Sequence, residues 1–365
     1  MAELLFVTWD GGGNVAPALA VARELQARGH RVRFLGHAVQ SEELAAAGTE
    51  VVPAPHARPF TRASEPSAAG MLAAFADRGL ARDLTAELAR RPADLVVVDA
   101  LMFSALDAVR RAGVAYVVLE HFLDSYYEEG CLGSPLAMLL RFRGLAPRTA
   151  VRGARARIVT ALPELDTRHG ARGLTHVGPV VGPVVDPVVG GARRDGYGPA
   201  VLVSLSTFGY RGMAEVLQRI VDGTAGLGVR VVVTTGPLLD PARITAYDGV
   251  EVHRHVPHTE LMPEMSLVVG HGGHGTTMQA LAHDLPVLLL PLYARSDQPW
   301  VARAVERAGA GRSLPRDSPP AAIAAAAAAL LEEGAHRAAA ARLGAAIRGM
   351  PGAAGGADAV ELALS

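Results

Sequence analysis

Residues 267–290 read LVVGHGGHGTTMQALAHDLPVLLL. Leu267–Gly270 is a short apolar run, His271-Gly272-Gly273 a glycine-rich break, Gly275–Ala282 a helical span and Val287–Leu290 a second apolar run. An apolar strand that turns tightly into a helix and returns as another apolar strand is the crossover unit that parallel sheets require. Strands this apolar are expected to be buried on both faces, with helices covering the sheet.

The same grammar recurs in both directions. Downstream, Gln298–Ala308 reads as a helix; upstream, Val201–Leu205 and Val229–Thr234 read as strands around a helix over Gly212–Ala225. In the first half, residues 4–9 (LLFVTW) run into Gly11-Gly12-Gly13, a helix carries Ala18, Val21 and Leu25 on one face, Gly29 ends it, and Val32–Leu35 is the next strand. Leu95–Val98 and Ala115–Leu119 are further strands around a helix at Ser104–Arg111. Between the halves lies a segment rich in Gly and Pro, which sustains neither helix nor central strand. The expected organisation is a first domain over 1–182, a linker over 183–198, a second domain over 199–350 and a C-terminal tail or helix over 351–365. The alanine run Ala321–Ala329 has few large side chains and is expected to be a surface helix held by propensity more than by packing. Pro53–Ala69, irregular and with several prolines, is expected to be a mobile loop.

Composition narrows the function. The chain has 365 residues, half of them hydrophobic, and 35 basic against 36 acidic residues for a formal net charge of -1. That balance offers no field to collect nucleic acid, and no run approaches the roughly 18 apolar residues of a membrane span. Every basic residue is Arg, which removes P-loop, Schiff-base and pyridoxal-phosphate lysine chemistry. One cysteine, Cys131, makes neither a disulfide nor a cysteine metal cluster, and the start Met1-Ala2-Glu3 lacks a basic leader region, so a cytoplasmic location is expected.

In doubly wound sheets, ligand sites lie just past the carboxyl ends of strands. After Gly270 comes HGGHGTT. Its glycines let backbone N–H groups approach an anion, a helix N-terminus adds about half a positive charge, and Thr276, Thr277 and His271 can donate hydrogen bonds. This is a phosphate or diphosphate cradle. His253, His255 and His258 place three imidazoles in six residues, but no carboxylate or thiolate set stands at matched spacing beyond Glu251 and Glu260, so no metal site is expected.

Residues 271–311, HGGHGTTMQALAHDLPVLLLPLYARSDQPWVARAVERAGAG, resemble the donor-binding signature of the GT-B glycosyltransferases of family 1, in particular the macrolide and antibiotic branch. Val203–Thr207, Val256-Pro257-His258, and Gly13–Pro17 with Arg28-Gly29-His30 extend the likeness across nearly the whole chain. The resemblance implies an α/β GT-B fold, two doubly wound, Rossmann-like parallel-sheet domains facing a cleft, with 1–182 the acceptor-binding domain and 199–350 the nucleotide-sugar-binding domain. It further implies that His271, Gly273, Gly275 and Thr276 hold the donor diphosphate with Ser206 or Thr207, that Val256 and His258 flank the nucleobase, and that Asp297 and Gln298 bind the sugar. The implied reaction is an inverting, metal-independent transfer from a UDP- or TDP-sugar co-substrate, with no bound cofactor, to a hydrophobic, polyketide-like acceptor in antibiotic and secondary metabolism.

One position departs from the family. The usual proton-accepting His stands where this chain has Asn14, whereas Asp99 matches the Asp that orients it. Three readings stay open: Asp99 or Asp10 takes the acceptor proton while Asn14 positions the acceptor; the acceptor ionises easily and the chain is a C-glycosyltransferase on a phenolic acceptor; or the protein is a non-catalytic sugar-nucleotide-binding auxiliary. His121 is a further proton acceptor, and with Phe122, Tyr126, Met138 and Phe142 it is expected to line an apolar acceptor pocket. The partners expected are thus a nucleotide sugar and a hydrophobic small molecule, without nucleic acid or stable membrane insertion; an assembly, where one forms, is expected to be a homodimer.

Overall fold

The computed structural model describes residues 1–65, 67–184, 198–332 and 334–365. They form two compact units, Met1–Val180 with Met350–Ser365, and Val181–Gly349. Most of the expected linker, residues 185–197, lies outside the described residues.

The first unit is built on seven parallel strands: β1 (Glu3–Val7), β2 (Arg31–Leu35), β3 (Glu50–Val52), β4 (Leu95–Asp99), β5 (Tyr116–Glu120), β6 (Ala156–Val159) and β7 (Leu174–His176). Their order is β3-β2-β1-β4-β5-β6-β7. All of β4 and β5 is buried, as apolar strands covered on both faces should be. The chain leaves β1 in one direction to make β2 and β3 and returns on the other side of β1 as β4, so the order reverses between β1 and β4. Val7 pairs with Val98 there, which sets the segments after Val7 and Val98 side by side.

The second unit has six parallel strands: β8 (Ala200–Ser204), β9 (Arg230–Thr234), β10 (Val250–His253), β11 (Leu267–Gly270), β12 (Val287–Leu289) and β13 (Gly311–Ser313), in the order β10-β9-β8-β11-β12-β13. Its order reverses between β8 and β11, where Ser204 pairs with Gly270.

Two expectations change and one is resolved. Of the tail or helix expected over 351–365 the structure has the helix: Ala353–Leu364 buries Ala357, Val360 and Ala363 in the core of the first unit beside Val21 and Leu25 of the helix Val15–Ala27. Small residues permit that approach, since a Cβ on Gly356 would lie 2.6 Å from a Val21 methyl. Arg28 ties the helix down through Asp358 at 2.6 Å and Glu361 at 2.7 Å.

The alanine-rich helix, Pro320–Leu331, also packs more than propensity implied. Ile323, Ala326, Ala327 and Leu330 are buried against Val216, Ile220 and neighbours, and at Gly223 of the helix Met213–Thr224 an added Cβ would meet the Pro320 carbonyl at 2.7 Å.

The loop after Pro53 is anchored. Asp83 accepts from His56 N–H at 2.8 Å and Ala57 N–H at 3.0 Å, Asp77 from Arg58 N–H at 2.7 Å, and Asp10 from Arg62 N–H at 2.9 Å. Phe60 packs 5.3 Å from the Trp9 ring and 5.5 Å from the His37 ring. No helix among the described residues is long and apolar enough to cross a membrane.

Candidate active site at two topological switch points

In the first unit the loop Thr8–Asn14 links β1 to its helix. Gly11 has no room for a side chain: a Cβ would fall 2.6 Å from the Trp9 ring and 2.8 Å from Asn14 Oδ1. Asn14 holds the N-cap position of the helix Val15–Ala27, yet its side chain makes no capping bond. Instead Nδ2 turns to the sheet end and lies 2.8 Å from Asp99 Oδ2, 3.0 Å from Trp9 O and 3.1 Å from Thr8 Oγ1. Its Oδ1 is buried without a hydrogen-bond partner among the described residues.

Asp99 ends β4 and is buried. Loss of water pushes its carboxyl up to about 7, and hydrogen bonds from Leu101 N–H, Asn14 and Trp9 only partly oppose that. Past the end of β5, His121 places Nδ1 3.5 Å from Asp99 Oδ2. Burial drives this imidazole down to about 3, so it stands neutral.

Asn14, Asp99 and His121 are therefore brought together, whereas Asp10 is drawn elsewhere. Its buried carboxylate takes the Arg62 N–H at 2.9 Å and faces the Arg62 guanidinium at 3.4 Å, which makes it the anchor of the loop after Pro53. The expected acceptor residues divide as well. Phe122 packs on His121, ring centroids 4.6 Å apart, and on Tyr126 at 5.2 Å. Met138 and Phe142 are exposed on the helix Pro135–Phe142.

The second unit offers a different surface. Gly273 is the N-cap of the helix His274–Ala282, and a Cβ there would strike His271 Nε2 at 2.5 Å, so the imidazole lies across the helix start. Burial holds that imidazole at about 4. At Gly272, φ is +83° and an added Cβ would meet the Gln298 carbonyl at 3.0 Å. Gly275 faces open space. Thr277 donates its hydroxyl to Gly273 O at 2.9 Å, and no such bond holds Thr276 among the described residues. The first helical turn carries no acidic residue, so its partial positive charge is uncancelled from within the turn.

In the loop past the end of the neighbouring strand β8, Ser206 Oγ accepts from Phe208 N–H at 2.9 Å and Thr207 is exposed. Val256 is half-buried, and His258 Nε2 lies 3.5 Å from Thr234 Oγ1, with burial and His255 lowering its pKa. Asp297 and Gln298 start the helix Gln298–Arg307. Burial raises Asp297 to about 6 although backbone N–H groups, His274's among them, donate to it. Gln298 is buried, and its Oε1 accepts from Leu292 N–H at 2.7 Å and Tyr293 N–H at 3.1 Å. Of this pair, Gln298 is spent on shaping the turn and Asp297 faces the helix start.

Reading the sequence missed the aromatic wall next to Asp297. Tyr210 and Tyr293 stack with centroids 5.8 Å apart, and burial together with Asp297 pushes the Tyr210 hydroxyl well up. It also missed His37, a buried loop residue whose ring lies 5.5 Å from that of Phe60. Each follows a strand end by a few residues, which was the available signal.

Residues 218–359 match the family described as erythromycin biosynthesis protein CIII-like, C-terminal domain. The chain is 28% identical over 376 aligned residues to a 4'-demethylrebeccamycin synthase of Lentzea aerocolonigenes, covering 86% of this chain and 87% of that one. Among solved structures, the glycotransferase of kitacinnamycin superposes with a TM-score of 0.81 at 23% identity over 100% of this chain and 99% of its own. The calicheamicin glycosyltransferase CalG4 superposes with a TM-score of 0.76 at 25% identity over 99% and 98%.

Proposed function

We propose, for a chain that belongs to the natural-product branch of the family 1 glycosyltransferases and has their GT-B fold, an inverting transfer of a sugar from a UDP- or TDP-sugar to a hydroxyl of a hydrophobic natural product. The observation that carries this reading is Asp99: a buried carboxyl at a switch point, raised to about 7, which is the range a general base needs near neutral pH. A cytoplasmic biosynthetic role fits it.

The acceptor oxygen attacks the anomeric carbon, the C–O bond to the diphosphate breaks on the opposite face, and the acceptor proton is lost to the protein. Two routes lead that proton to Asp99. Its Oδ2 can take it directly, with Asn14 Nδ2 holding the carboxylate and the free Asn14 Oδ1 receiving an acceptor hydrogen bond. Alternatively the neutral His121 takes it on Nε2 while the Asp99 carboxylate, 3.5 Å from Nδ1, stabilises the imidazolium; an imidazole that burial holds at about 3 is the weaker base, which favours the direct route. In either case Asn14, at the position of the family's base, serves as the clamp on Asp99. On the donor side the N–H groups at Gly275 and Thr276, the Thr276 hydroxyl and His271 neutralise the departing diphosphate, so the step calls for no metal. Asp297 accepts from sugar hydroxyls.

The test is product formation with a panel of UDP- and TDP-sugars and polycyclic aglycones, run on the wild type and on Asp99→Asn and His121→Phe. Loss of turnover in both variants supports the His121 route, and loss in Asp99→Asn alone the direct one. Full turnover in Asp99→Asn overturns Asp99 as the base. A wild type that binds nucleotide yet forms no product would make the chain an auxiliary.

A further inference from the structure

From Gly130 to Pro163 the chain contains six arginines and no acidic residue, although it holds 36 acids in 365 residues overall. The fold gathers four of the six, Arg148, Arg152, Arg155 and Arg157, with Arg172, around one cleft of about 220 Å³ whose floor includes Leu132, Val151 and Ala156. Arg155 immediately precedes β6 and Arg172 lies two residues before β7. The cleft therefore opens at the amino edge of the first sheet, opposite the edge that carries Asn14, Asp99 and His121.

The charges are unevenly satisfied. Arg157 is neutralised by Glu120 at 2.7 Å, by Glu128 at 2.9 Å and by Asp124. Arg148 reaches the same Glu128 at 3.4 Å. Arg155 donates to a backbone carbonyl, Ala363 O, at 2.6 Å. Arg152 and Arg172 are exposed and have no hydrogen-bond or ion-pair partner among the described residues. Guanidinium groups that converge on a concave surface in excess of carboxylates match the geometry of phosphate oxygens, which they hold bidentately.

We propose that this cleft is a second anion site, separate from the donor cradle, that takes a multiply charged phosphate group. A cleft of that volume exceeds by several times the roughly 30 Å³ share of one water, so it admits a diphosphate. Two sources share the chemistry: a free small phosphate compound, or a phosphate headgroup at a lipid surface. The inference does not depend on the sugar-transfer reading, since none of these arginines belongs to that machinery.

Calorimetric titration of the full chain with inorganic pyrophosphate tests it, with Arg152→Ala/Arg172→Ala and Thr276→Val measured alongside. Two lost charge-assisted contacts should weaken binding by about tenfold or more, and binding should fade as salt rises. Thr276→Val should leave this site unchanged. Arg152→Gln/Arg172→Gln, which keeps side-chain length, guards against a packing effect and should behave like the alanine pair. Cosedimentation with phosphatidylcholine vesicles containing phosphatidylglycerol separates the sources: capture that the arginine variants lose, without pyrophosphate binding, assigns the site to a headgroup. Equal pyrophosphate affinity and equal vesicle capture in wild type and arginine variants, or no binding of either probe, overturns the proposal.

Discussion

The two sheets reverse their strand order in the same way, once between β1 and β4 and once between β8 and β11, yet the two switch points are furnished with opposite materials. At β8/β11 the exposed surface is backbone: glycines, a helix start without an acidic residue in its first turn, and open space at Gly275. At β1/β4 the corresponding helix start is closed. Gly11 is packed against Trp9 and Asn14, and side chains fill the sheet end, so that an amide, a carboxylate and an imidazole meet at Asp99. A diphosphate is anionic before departure and more so after it, and fixed dipoles serve it throughout, whereas a proton transfer needs a protein group whose own charge changes. Topology supplies the position and the loop residues supply the chemistry.

The sharpest way to break this contrast is Asp99→Asn. General-base loss should lower kcat by about 100- to 10,000-fold while donor affinity, measured by nucleotide titration, stays as in the wild type. Stability should move the other way. The folded pKa of Asp99 is raised from 3.8 to about 7, so its contribution is fully present below the unfolded value and is lost as pH rises through about 7. At pH 8 the variant should melt no lower than the wild type, because Asn14 can turn its unpartnered Oδ1 toward the new amide. A variant that melts far lower at pH 8 would mean that Asp99 is a structural charge.

A smaller effect is expected at the other switch point from Gly275→Ala. The added methyl meets nothing within 4 Å, and alanine is favoured over glycine in a helix by about 0.5 to 1 kcal/mol, so the melting temperature should rise slightly. The methyl also occupies the space in which a diphosphate would approach the helix N–H groups, and donor affinity should fall by about tenfold. A rise in stability with unchanged nucleotide affinity would place the diphosphate elsewhere.

These two sites were not equally legible in the sequence. The shape of the loop proposed to hold the donor was, because glycine spacing reports backbone geometry directly: HGGHGTT after an apolar strand already specifies a turn and a helix start, and the structure has both. The acceptor side depended on which side chains meet across the sheet, and spacing along the chain does not report that. Asp10, four residues before Asn14, reads as well as Asp99 for a base, and only the fold shows that Arg62 occupies it. Phe122 and Phe142 read alike, and only the fold buries one and exposes the other. Likewise the close helix packing at Gly356 and Gly223 rests on partners, Val21 and Pro320, that lie far away in sequence.

The finest test of the contrast is Asn14→Ala, read through pH. In the wild type, the base must be ionised to accept a proton, so kcat/KM should rise with pH and level off above about 7, the value to which burial brings Asp99. The Asn14 amide donates to the ionised carboxylate at 2.8 Å and therefore favours the charged form; removing it favours the protonated form. The rising limb should then move to higher pH by roughly half a unit to one unit, with the plateau reduced only modestly, since Leu101 N–H still holds Oδ1 at 2.9 Å. Asp297, which burial raises to about 6 at the donor switch point, is left unaltered by this substitution, so the pH dependence of nucleotide affinity should be the same in this variant as in the wild type. A limb that stays in place would show that Asn14 does not set the charge on Asp99, and one that moves to lower pH would show that the amide had been facing the carboxyl with its oxygen.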